Sequence, residues 1–83
     1  MTTTRSQALC EQLREARRAR GWSVPFLART ARVSTHIITH IERRGVLPAR
    51  FEPLMKLARA LGVNEREAFE VWLGEVGGAH VGR

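Results

Sequence analysis

Thr35, His36, Thr39, His40 and Arg43 recur at helical spacing within nine residues. Hydroxyls and neutral imidazoles both donate and accept hydrogen bonds, and the guanidinium donates, so this set can read another molecule's polar edges. It contains no carboxylate. Glu42 is the one acid nearby and falls toward the opposite edge, beside Ile38 and Ile41 at i, i+3. A short helix that buries an apolar stripe and shows such a polar face suits insertion into the major groove of DNA.

Other chemistries fit less well. His36 and His40 are spaced i, i+4, which could set two metal ligands on one face. The zinc-peptidase pattern requires Glu directly after the first His, and Ile37 stands there. Cys10 lies on an earlier helix and His80 near the C-terminus, so no third ligand is evident, and neither a metal nor a cofactor is expected. The chain has no Asp, no glycine-rich phosphate loop and no assembled Ser-His-acid arrangement, so it does not read as an enzyme and no catalytic residue is assigned. RNA is disfavoured because no aromatic stacking platform appears.

The elements that must hold this face are all helical. Thr4-Arg5-Ser6-Gln7 has the spacing of a capping box, opening a first helix from about Arg5 to Ala19 with Leu9, Leu13 and Ala16 along one side. Gly21 closes it. Ser23 is a good N-cap for a second helix ending near Thr30, with Pro25 in its first turn. Ser34 caps the third, and Val33 before that cap can join its apolar stripe. A loop with Gly45 and Pro48 leads to a fourth helix, about Arg50 to Leu61, carrying Leu54, Leu57, Ala58 and Leu61. Asn64 caps a fifth, ending near Leu73, with Phe69, Trp72 and Leu73 on one face and Ala68 and Val71 beside it. Both tryptophans read as core or interface anchors. No strand-like alternation and no repeat is present. The domain expectation is a flexible segment at 1–4, a helical domain over 5–73, and a disordered Gly-rich tail at 74–83.

Eighty-three residues form one small domain with a modest core. No apolar run approaches the roughly 20 residues of a membrane span. A lone cysteine excludes an internal disulfide and fits a cytoplasmic setting. The net charge of +6 is unevenly spread. Residues 1–50 hold ten arginines against three glutamates, whereas residues 51–83 are close to balanced. Thirteen of the fourteen basic residues are arginine, the side chain suited to bidentate phosphate and guanine contacts.

From Leu9 to Leu73 the chain resembles the Cro/C1-type helix-turn-helix family of phage-repressor-like regulators, also called the XRE family. The matching residues are Leu9, Leu13, Arg17, Gly21-Trp22-Ser23, Leu27-Ala28, Val33-Ser34, Ile38, Ile41-Glu42-Arg43, Pro48 and Leu57-Ala58-Arg59-Ala60-Leu61-Gly62-Val63. Four positions depart from the family pattern. Val24 stands where members often carry a phosphate-contacting Gln, and Arg32 where the turn between helices 2 and 3 has glycine. Arg44 displaces a glycine to Gly45, and the helix 4 region is about one residue longer.

The resemblance implies an all-α, five-helix, lambda-repressor-like fold, sequence-specific binding of double-stranded DNA and a twofold homodimer. It assigns base reading to the solvent face of helix 3: Thr35, His36, Ile37, Thr39 and His40. For Ile37 the choice is between a thymine methyl and packing on a neighbouring loop. Ser23, Arg43, Arg44 and Arg50 are expected at phosphates, and Arg17 with Glu42 as a structural ion pair. The surplus apolar surface of helix 5 points to a dimer seam at Val71 and Trp72, with Val63 nearby. The reading is a transcriptional regulator, in particular a repressor on a palindromic operator. Its rivals are an antitoxin-type relative that also binds a protein partner, and a protein-interaction module that kept the fold without operator binding.

Overall fold

Four of the five helices begin at a side chain that satisfies an otherwise free backbone amide. In the computed structural model, which describes residues 3–81 and side chains as far as Glu75, Thr4, Ser23, Ser34 and Asn64 accept from the amides of Gln7, Phe26, Ile37 and Glu67 at 2.9–3.2 Å. The helices are α1 (Arg5–Ala19), α2 (Val24–Ala31), α3 (Thr35–Arg44), α4 (Phe51–Leu61) and α5 (Glu65–Val81). Gln7 returns a side-chain bond to the Thr4 amide and completes the capping box. Only Arg50, before α4, makes no side-chain cap. A guanidinium has no acceptor to offer a backbone amide, and Pro53 at the third helical position has no N–H to cap.

The ends of α1, α2 and α4 share one device. The amides of Trp22, Val33 and Val63 bond back to the carbonyls of Arg17, Ala28 and Ala58 at 2.9–3.2 Å. That six-residue closure follows a left-handed residue and turns the next apolar side chain inward. Gly21 and Gly62 supply the left-handed backbone at two of these ends; at the third it is Arg32, with φ 60 and ψ 49. A side chain in that conformation costs about 1 kcal/mol or more. Glycine there would remove this strain yet give back a comparable amount through unfolded-chain entropy, which accounts for the tolerance of Arg32.

Leu27, Ile38, Ile41, Leu54 and Leu57 are the largest wholly buried side chains, so the centre of the core lies about α2, which packs on both α3 and α4. Leu9, Cys10 and Leu13 of α1 close it from one side and Ala68 of α5 from another. Leu47 joins it from the α3–α4 connection. Val63 is 8% exposed, since it is the inward-turned residue at the end of α4. It therefore belongs to the core of a single copy and is not available to the seam expected for it.

The fifth helix differs most from expectation. It continues past Leu73 to Val81, where the composition predicts a disordered tail from residue 74. The buried Ser6 hydroxyl donates to Glu75 at 3.0 Å, fastening the added turn to the start of α1. Residues 82–83 of that tail lie outside the described residues, as do Met1 and Thr2 of the expected flexible segment. Thr4, expected in the same segment, is held as a helix cap. The apolar residues of α5 also divide differently. Ala68 is buried and Val71 and Trp72 pack partly against the core, while Phe69 and Leu73 are 42% and 48% exposed.

Cys10 is 3% exposed, and its thiol is pushed up to about 11, first by burial and second by the charge of Glu75. The unfolded thiol ionises near 9.0. Its contribution to stability is therefore complete below that value and lost as pH rises toward about 11, because only the unfolded chain sheds its proton there. We expect native Cys10 to resist alkylation at mildly alkaline pH and to react rapidly once the chain is unfolded in urea. Comparable rates in both states, followed by mass spectrometry, would contradict this placement.

Candidate nucleic-acid interface

The exposed face of α3 depends on how its buried side is held. Ser34 caps its start, Ile38 and Ile41 enter the core, and Gly45 ends it in a left-handed conformation. Its last turn is fixed by charge. Arg17 of α1 donates to both oxygens of Glu42, at 2.7 and 2.9 Å, and a third donor reaches the Trp22 carbonyl at 2.6 Å. The two side chains are only 12% and 11% exposed. The hydrogen bonds to Glu42 raise the Arg17 pKa further above its ordinary value, against the opposing effect of burial. The expected pair thus lies in a nearly dry site, and the one carboxylate of α3 is withdrawn from the solvent face.

On that face Thr35 and His36 are exposed, and Thr39 and His40 are half-buried. The two imidazoles lie together, ring centres 4.4 Å apart and tilted by 50°. Ile37 is half-buried like Thr39 and His40; it packs partly against the core and lines the groove beside the α3–α4 connection together with His36 and His40. Among the described residues no group of three or more potential ligands could hold a metal ion.

The four residues expected at phosphates do not form one cluster. Ser23 is exposed at the start of α2; its hydroxyl oxygen accepts from the Phe26 amide and its O–H remains as a donor, as a phosphate contact requires. Arg43 and Arg44 are exposed at the end of α3 and border a cleft of about 820 Å³ against α1. Arg14 lines the same cleft, and its Nε is buried without a hydrogen-bond partner. Arg14 and Arg43 reach one cleft only through the packing of α1 on α3. Arg50 stands apart, beside a second, more apolar groove of about 500 Å³. One wall of that groove is His36, Ile37 and His40, and the other is the connection from Val46 to Arg50. Among the described residues the Arg50 guanidinium has one polar contact, Glu52 at 3.5 Å on an open surface, a pair too exposed and screened to hold it back from another anion.

Val71 and Trp72 are half-buried within one copy. Around them Phe51, Phe69 and Trp72 form an aromatic ledge with ring centres 5.0–6.1 Å apart. The free surface there comes from Phe69 and Leu73 more than from the residues expected at a seam.

Five helices without a strand among the described residues, with α2 and α3 joined by a tight left-handed turn, define an all-α lambda-repressor-like domain. A family model described as a helix-turn-helix domain matches residues 8–70, and the chain belongs to that family. No curated protein and no solved structure matches the chain. Membership is consistent with the Cro/C1 type and indicates a DNA-binding regulator of a typically non-enzymatic kind. Among the described residues no helix is long and apolar enough to cross a membrane.

Arg17→Ala is expected to destabilise the domain by about 3–5 kcal/mol, because Glu42 is left charged in a nearly dry site. Replacing both partners with apolar residues of similar size should recover most of that loss. Urea unfolding of the single and double variants measures both; a single variant as stable as wild type would show that the pair is not desolvated.

Proposed function

We propose that this chain is a dimeric repressor that reads a palindromic operator with α3. The observation that carries this reading is the solvent face of α3. Thr35, His36, Thr39 and His40 stand on it, arginines flank it at either end, and its one carboxylate is bound to Arg17 behind it. Thr35 and His36, at the start of the helix, are the first candidates for base edges, with Thr39 and His40 one turn on. Ser23, Arg43, Arg44 and Arg50 are the phosphate contacts, which set register without reading sequence. Val24, partly packed on the core, supplies no polar group at the start of α2.

The interface area favours a pair of copies. One domain of this kind offers about 600–1,000 Å² to DNA, which is thin for operator-level affinity. Two on a twofold axis double it and read half-sites about one helical turn apart. The aromatic ledge, with Phe69 and Leu73 as its open part beside Val71 and Trp72, is the surface best suited to a second copy.

His36→Ala should reduce preference for the selected site by about 1–3 kcal/mol and spare non-specific binding, whereas Arg43→Ala should weaken both and lower the salt slope by about one. Binding selections from random duplexes, followed by titrations at several salt concentrations, test this. Failure to bind any duplex at low salt would favour a protein-interaction module instead. For assembly, Leu73→Glu repeats a charge across the axis and should lower dimerisation and operator affinity together, with circular dichroism unchanged. Sedimentation of the wild type as a monomer, free and on a full operator, would refute the dimer.

A further inference from the structure

The connection between α3 and α4 has few means of holding its shape. Leu47 is buried, but residues 46–50 make no backbone–backbone hydrogen bond outside the helices among the described residues. Pro48 has no amide to donate, which leaves its carbonyl as its one polar group. That carbonyl accepts the indole N–H of Trp72, 24 residues later on α5, at 2.9 Å. Among the described residues this is the one hydrogen bond that reaches the connection's backbone from another element. The indole is itself set by its neighbours: its ring centre is 5.5 Å from that of Phe51 and 6.1 Å from that of Phe69. Phe51 directly follows Arg50, so the ledge grips α4 at the residue after the arginine.

We infer that Trp72 is a positioning residue for DNA binding: through the Pro48 carbonyl it holds the α3–α4 connection so that Arg50 meets the backbone while His36 and His40 meet the bases. This rests on the reading of α3 as the DNA-facing helix. The groove of about 500 Å³ carries the geometry, since the connection is one wall and the two histidines are the other. A connection free to swing would change the span between Arg50 and the imidazoles, and both contacts could no longer be made at once without ordering it.

The test uses Trp72→Phe, which keeps an aromatic ring and removes the N–H, alongside Arg50→Ala and the double variant. Each is titrated with a mixed-sequence duplex of two helical turns at several salt concentrations, with melting curves and sedimentation as controls. Trp72→Phe should bind about fivefold more weakly, the scale of one ordinary hydrogen bond. Its salt slope should fall toward that of Arg50→Ala, and the double variant should be little weaker than Arg50→Ala alone. In wild type, the Trp72 indole proton should exchange slowly with solvent and more slowly still on DNA. Should Trp72→Phe lose the fold, benzothienylalanine at the same position preserves the indole's shape without its N–H. Wild-type affinity in a folded Trp72 variant, with Arg50→Ala weakened, would overturn the inference and leave the DNA-binding reading standing. Additive losses in the double variant would overturn it as well. Absence of any duplex binding by wild type at low salt would remove the DNA-binding reading itself, and the inference with it.

Discussion

A single guanidinium, that of Arg17, joins three parts of the domain. Its two bonds to Glu42 fix the last turn of α3 against α1, and its bond to the Trp22 carbonyl fixes the corner where α1 gives way to α2. Desolvating two charges is expensive, so such a pair adds little net stability over an apolar replacement. What it adds is geometry: a planar fork satisfies a carboxylate in one orientation only. It also decides the electrostatics of the opposite face. With Glu42 neutralised from behind, the solvent side of α3 carries hydroxyls, imidazoles and arginines without an opposing charge.

The rest of the scaffold serves the same placement through its helix ends. Left-handed residues at 21, 32 and 62 turn the chain sharply and send Trp22, Val33 and Val63 inward. At Arg32 this happens without glycine, and the strain falls at the turn that sets α2 against α3. A side-chain cap at every start but that of α4, and an inward apolar residue at each of these ends, leave the angles between short helices little freedom. That matters for a site whose contacts come from different elements, since none of the helices holds it alone.

Beyond the core, the two faces of the domain differ in kind. The side of α3 is cationic and polar, with one cleft bordered by Arg14, Arg43 and Arg44 and one groove bordered by the histidines and the α3–α4 connection. The side of α5 is aromatic and close to charge balance. The Trp72–Pro48 bond crosses from one to the other. The two surfaces are thus set apart, yet a hydrogen bond links them.

Local patterns were sufficient to locate nearly every helix. Thr4, Ser23, Ser34 and Asn64 announce starts because capping is a contact within three residues. Gly21, Gly45 and Gly62 announce ends because a left-handed backbone is a local demand. The apolar stripes of α1, α3 and α4 were likewise legible, since period 3.6 is a property of one helix, and the Arg17–Glu42 pair came from resemblance and proved to be in place. Where a contact outside the apolar stripe decides, sequence alone misled. Val63 looked available to a partner and Gly74 like the start of a tail. Each was decided by what lies beside it: the closure at Ala58, and Ser6 reaching Glu75 across the fold. Trp72's bond to Pro48 carries no local signature at all. Burial and long-range hydrogen bonds depend on how helices cross, and that is settled only when the whole core closes.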